Sequence, residues 1–215
     1  MLDGFFKVSR RGAVSRGSPL TFSRKTECSL SLFEFILIMT SVIFALSVAQ
    51  VLSGVSRLAQ AAGEVRTFLA HTLWVVLLFV AIFLSWWATW EFRGVDWAFP
   101  QYAYLLLAPI LLFFSCSLIL PDDFGGASVD LEAHFFKVRR PLMWSWLVFT
   151  VVIVFDGPFL RTEPVVHPIR FAHAVWFVAA AWGIRSTHRT THIILAIAVL
   201  TTMGVLITTR FWSVS

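Results

Sequence analysis

Four stretches of this chain, residues 35–56, 67–90, 97–121 and 190–209, contain no Asp, Glu, Lys or Arg. Each is long enough to cross a bilayer as a helix, since about 20 apolar residues span the ~30 Å of hydrocarbon and a helix leaves no backbone polar group unpaired there. A water-soluble fold fails on composition. Of 215 residues, 58% are hydrophobic and 13% charged, against about 45–50% and about 25% in soluble domains. One small core cannot hide that surplus. The 10 Trp and 22 Phe suit bilayer interfaces and helix packing.

The middle of the chain is harder to divide. Arg140 to Asp156 and Arg170 to Arg185 enclose runs too short to span, so either they are re-entrant or the helices extend and carry Asp156 and Arg170 with them. Gly157-Pro158 and His167-Pro168 resemble the punctuation of a tight loop, which favours extension. The expectation is an all-α integral membrane protein, a six-transmembrane-helix bundle with spans near 33–54, 69–90, 99–120, 140–158, 167–184 and 191–210. Before the fourth span, residues 130–140 (DLEAHFFKVRR) have acids early and bases late, as the helix dipole prefers. They suggest a separate amphipathic interfacial helix, with Pro141 in the first turn of the next one. Pro109 is expected to kink the third span.

Two patterns bear on helix arrangement. Ser41, Ala45, Ala49 and Ser53 recur every four residues, a stripe that lets a neighbouring backbone approach closely. His71-Thr72-Leu73-Trp74 is echoed by His173-Ala174-Val175-Trp176. That echo is where a 3+3 inverted repeat, a common transporter plan, would place it. No matching motif links the other helix pairs.

A charge inside hydrocarbon costs about 2.5–3.5 kcal/mol or more, so those present usually face a partner or a cavity. Six antiparallel spans put Glu34, Glu91, Asp156, Arg170 and His173 at one membrane face, the candidate polar intramembrane cluster. Its alternatives are a proton or ion path, or an Asp156–Arg170 bridge that ties a loop. At the other face His188 and His192, four residues apart, are weak metal candidates, and local spacing fixes no third ligand. His71 and His173 fall at opposite faces and cannot be one haem axial pair. No nucleophile elbow, phosphate loop or HExxH motif is present, and Ser115 and Ser117 are simplest as packing residues. Cys28 and Cys116 form neither a disulfide framework nor a zinc site. No cofactor and no enzymatic activity are expected.

The net charge of +5 sits largely in residues 1–30, expected to be a disordered basic tail ahead of a membrane domain at 31–215, so it is no argument for nucleic-acid binding. The partners expected are the lipid bilayer and either further copies of the chain in a homo-oligomer or a membrane partner protein. The location expected is a bacterial-type inner membrane. The function these features lean towards is a transporter or channel, with a membrane assembly partner or sensor as the alternative. The positive-inside rule gives opposite orientations with and without the tail. Leu30-Ser31-Leu32-Phe33-Glu34 resembles a natural beginning, and the expectation is translation from Leu30, read as Met. Intact-mass measurement of the native protein should give the shorter chain; a full-length mass refutes this.

Overall fold

The computed structural model describes residues 31–61, 63, 65–121, 129–161, 164 and 169–209. The basic tail, Asp122-Asp123 and His167-Pro168 lie outside the described residues.

Six helical columns run antiparallel. They are α1 (Leu32–Gln60), α2 (Leu69–Ala88, continued by a 3-10 turn Thr89–Phe92), α3 (Phe99–Leu105) stacked on α4 (Leu107–Ile119), α5 (Leu131–Arg161), α6 (Arg170–Arg185) and α7 (Arg189–Thr209). Two short strands, β1 (Val65–Arg66) and β2 (Val129–Asp130), pair in parallel between the loops before α2 and α5. The end where α1 begins is called the near end, and that of β1 and β2 the far end. Helix α5 packs chiefly against α4 and α6, α1 against α4, and α2 against α7.

Five columns are long and apolar enough to cross a membrane: 32–60, 69–92, 99–119, 131–161 and 189–209. Many of their apolar side chains point outward. Only 28% of the most apolar window of α1 is buried, and Phe35, Val42, Leu46, Phe83, Ile110, Phe155 and Ile197 are exposed on five different columns. A surface of this kind is stable against lipid and not against water. Exposed Trp86, Trp87 and Trp90 cluster at the near end, and exposed Trp144 and Trp182 lie towards the far end, as interfacial aromatics do. The sixth column, α6, has 16 residues, about 24 Å of helix, and falls short of the length of a standard span. Helix lengths and breaks give no sign that the last three columns repeat the first three.

Three expectations are corrected. Residues 130–140 and the fourth span are one helix of 31 residues, with Pro141 and Pro158 inside it. An internal proline forfeits one backbone bond and crowds a carbonyl, about 3 kcal/mol, and burial of Phe135, Leu142, Met143 and Trp146 around Pro141 offsets that. Gly157-Pro158 is consequently the last turn of α5 and not a loop. The stripe on α1 also faces the wrong way, because Ala45, Ala49 and Ser53 are exposed. The buried face is Ile36, Thr40, Phe44, Ser47, Val51 and Gly54. The close approach is at Gly54, where a Cβ would sit 2.6 Å from Leu120 Cδ1. The third column breaks at Leu106, just after Leu105, whose carbonyl Pro109 has no N–H to meet.

Helix α5 starts where it does because Asp130 caps it. Asp130 Oδ1 accepts from the Glu132 and Ala133 amides at 3.0 and 3.1 Å, while Oδ2 meets Arg66 at 2.9 Å; Glu132 pairs with Arg189. The Ala133 amide first, then Arg66, the Glu132 amide and Arg189, hold Asp130 below the ordinary carboxylate range. A carboxylate depressed in this way stabilises the fold above its unfolded value, near 3.9, and that contribution disappears as pH falls through the folded value. Asp130→Ala should therefore lower the thermal midpoint in detergent by a constant margin above about pH 5. The margin should close in stronger acid. A pH-independent gap means that the cap's charge contributes nothing.

Candidate functional site

Two helix ends and one helix start meet at the near end around an internal cavity of about 120 Å³, where ~10–15 Å³ suffices for one water. The end of α2 and its 3-10 turn supplies Glu91, the last turns of α5 supply Asp156 and Arg161, and the start of α6 supplies Arg170 and His173. The other walls are largely apolar, with Phe44 of α1, Leu84 of α2, Leu105 of α3, and Met203 and Leu206 of α7, beside the hydroxyls of Ser85 and Thr89. The deep side is Phe149 and Trp176. Fully buried Trp146 packs on both, with ring centroids 5.1 Å from Phe149 and 5.9 Å from Trp176, and Trp74 follows at 6.0 Å. The tryptophans of the two His-x-x-Trp segments thus both pack on Trp146. Trp176 is held in turn by Thr202 of α7 at 2.7 Å.

The polar groups have distinct partners. Arg161 forms an ion pair with Glu91 at 2.9 Å, both side chains about a quarter exposed, and its guanidinium lies 5.3 Å from the Phe92 ring centroid. Arg170 Nη1 donates to the Ile153 carbonyl at 3.2 Å and faces His173 Nδ1 at 3.5 Å. A guanidinium only donates, so Nδ1 is the acceptor in that contact. Asp156 lies in the electrostatic reach of Arg170 first and Arg161 second. Tyr104 of α3 donates to the Val152 carbonyl at 2.6 Å, one turn before Asp156. The cluster is therefore a set of ion-paired and hydrogen-bonded groups in which the Asp156 carboxylate shares one cavity with the Arg161 and Arg170 guanidiniums.

Four of the five residues singled out in the sequence line this cavity. Glu34 does not. It forms a capping box with Ser31, its carboxylate accepting from the Ser31 amide at 2.7 Å while the Ser31 hydroxyl accepts from the Glu34 amide at 3.2 Å, and it belongs to the start of α1. Arg161 was missed, because its partner Glu91 is 70 positions away in the chain. The Ser31-x-x-Glu34 spacing, by contrast, is a local capping signal.

At the far end the histidines serve carbonyls. His71 Nε2 bonds the Ile119 carbonyl at 2.9 Å, and His134 Nε2 the Leu118 carbonyl at 3.2 Å. His192 Nε2 bonds the Ser186 carbonyl at 3.1 Å, which Arg139 also reaches. His188 is exposed, so the two metal candidates do not face one point. Among the described residues no group of three or more His, Cys, Asp or Glu is placed to hold a metal ion. Ser115 links α4 to α5 through Ser145 at 2.8 Å, and Cys116 is buried.

The fold defines a polytopic helical membrane protein. Comparison with known proteins returns no matching family model, curated protein or solved structure.

The Glu91–Arg161 pair is shielded enough to exceed the ~0.2–1 kcal/mol typical of exposed pairs. Glu91→Gln and Arg161→Gln should each lower the unfolding midpoint in detergent. A double-mutant cycle should give a coupling of about 1–3 kcal/mol. Additive effects would remove the pair from the forces that hold α2 to α5.

Proposed function

We propose that this protein is a small membrane transporter whose near-end cavity is the substrate-binding vestibule, with Asp156, Arg170 and His173 as its working groups and Arg161–Glu91 as its brace. The observation that carries this reading is the convergence of charged and titratable side chains from α2, α5 and α6 on one cavity inside an otherwise apolar body. Charges kept at such depth are costly unless partnered or functional, and the wall of Phe149, Trp176 and Trp146 gives the cavity a floor. A floor favours a transporter that alternates its access over an open channel.

In this reading α6 is the sixth crossing. Its start touches α5 at Ile153, and its end touches α5 at Met143, where a Cβ on Gly183 would lie 2.7 Å from the sulfur. It packs against α5 and α7. With Arg161 and Arg170 drawn into the body, Arg93 is the one loop cation of the near end among the described residues. The far end has Arg57, Arg66, Lys137, Arg139, Arg140, Arg185 and Arg189. Counted over these residues, the positive-inside rule puts the far end in the cytoplasm and the cavity at the outer face, in a bacterial-type inner membrane.

The second reading is a membrane assembly component. Its support is the outward stripe of Ala45, Ala49 and Ser53 beside an apolar groove at Ser41, Val48, Ile82 and Trp86.

Proteoliposome uptake of sodium, potassium, nitrate and acetate, followed by stopped-flow light scattering, separates the readings. Wild type should carry at least one solute faster than empty vesicles. Asp156→Asn and His173→Ala should lose more than tenfold of that rate while eluting as folded protein. No uptake above empty vesicles, or equal loss of folded protein and rate in both variants, refutes the transporter.

A further inference from the structure

We propose that the outer faces of α5 and α6 at the far end bind one anionic phospholipid, its phosphodiester held by Lys137, Arg140 and Arg185 and its chains laid against Trp144 and Trp182. Such a site stands whether or not the near-end cavity carries a solute.

Three contacts fix how α5 and α6 run past each other. Arg139 reaches the Ser186 carbonyl, a Cβ on Gly183 would meet the Met143 sulfur, and Arg170 donates to the Ile153 carbonyl. The helices are antiparallel, so this register places Arg140 level with Arg185, Trp144 with Trp182, and Val148 with Val178. All six side chains are exposed. Steps of four on α5, and of four and three on α6, keep each set on one face of its helix. Two adjacent columns therefore present the same surfaces at the same levels. Basic side chains come first, tryptophans follow about one turn (~5 Å) deeper, and aliphatic side chains lie below those. That order is the order of a lipid leaflet: headgroup, interface, chain.

Charge indicates which lipid. The far-end carboxylates Asp130 and Glu132 are engaged by Arg66 and Arg189, and Arg139 is taken by the Ser186 carbonyl. Lys137, one turn beyond Arg140 on the same exposed face, meets no carboxylate among the described residues, and neither do Arg140 and Arg185. Arg185 donates only to the Ala181 carbonyl of its own helix, at 3.4 Å. Like charges gathered in this way repel one another, and an anion from outside the chain relieves that repulsion. A phosphodiester suits the site because a guanidinium can meet two phosphate oxygens at once. Basic clusters beside helices at a membrane face favour such headgroups. A zwitterionic lipid offers the same phosphate but brings its own ammonium up to the three cations. An acidic protein surface would meet the cations and leave the tryptophans and valines without a role.

The test is native mass spectrometry of the full-length protein in detergent, given phosphatidylglycerol and phosphatidylcholine of equal chain length and concentration. Wild type should retain phosphatidylglycerol over phosphatidylcholine by at least about tenfold. Lys137→Gln, Arg140→Gln and Arg185→Gln should each cut that preference about fivefold while eluting as folded protein. The triple variant should approach parity, and the single variants carry the test if it fails to fold. Arg93→Gln, the same charge change at the near end, should leave the preference unchanged. Inorganic phosphate and glycerol phosphate, which lack chains, should not displace the lipid at its own concentration. No preference in wild type overturns the proposal, as does an equal loss in Arg93→Gln. A preference that survives in the folded triple variant belongs to other cations, such as those of residues 1–30, and also overturns it. Displacement by either soluble phosphate would make this a site for a free anion and overturn the lipid assignment.

Discussion

A carbonyl left unpaired in hydrocarbon costs several kcal/mol, and the way this chain meets that constraint organises the whole molecule. At several helix ends, and along α5, a side chain from another column reaches a backbone carbonyl. His71 and His134 meet the last carbonyls of α4, Arg139 and His192 meet the end of α6, and Tyr104 and Arg170 meet α5 just before Pro158. These are contacts between columns, so each also fixes register. At the far end histidines and one arginine serve these carbonyls. At the near end the same need draws Arg170 inward, and with it a charge that demands a counter-charge.

The cavity follows from that inward charge. Asp156 lines it one turn beyond the carbonyl that Arg170 holds, and Arg161 on the next turn brings in Glu91 from α2. Aromatic packing sets the depth: Trp176 hangs between Thr202 and Trp146, and Phe149 closes beside it. The void is thus bounded by charges that must stay near water on one side and by rings that exclude it on the other. Neither boundary can move far without stranding a charge or opening a gap in the Trp74–Trp146–Trp176 stack.

Much of this was legible in the sequence, for reasons that differ by element. Long uncharged runs identify spans because lipid admits little else, and Pro109 marks a break because it lacks an N–H. The convergence of Glu91, Asp156, Arg170 and His173 followed from topology alone, since antiparallel spans sort residues by membrane face. The buried face of α1 was not legible, because a helix apolar all round carries little periodic signal of which side meets protein. The continuity of α5 through Pro141 depends on contacts of Phe135 and Trp146 with distant helices, which no local rule encodes. Arg161 was hidden for the same reason. Glu34 shares that face but not the cavity, because topology sorts residues by membrane face without saying which of them turn inward, and its carboxylate is taken by the capping box with Ser31.

The asymmetry between the two ends gives the carboxylate its significance. A far end rich in loop cations and a near end where acid and base surround a void make the molecule polar across the membrane. In the transporter reading proposed above, Asp156 faces the near-end aqueous phase, and the Trp74–Trp146–Trp176 stack stands between it and the far end.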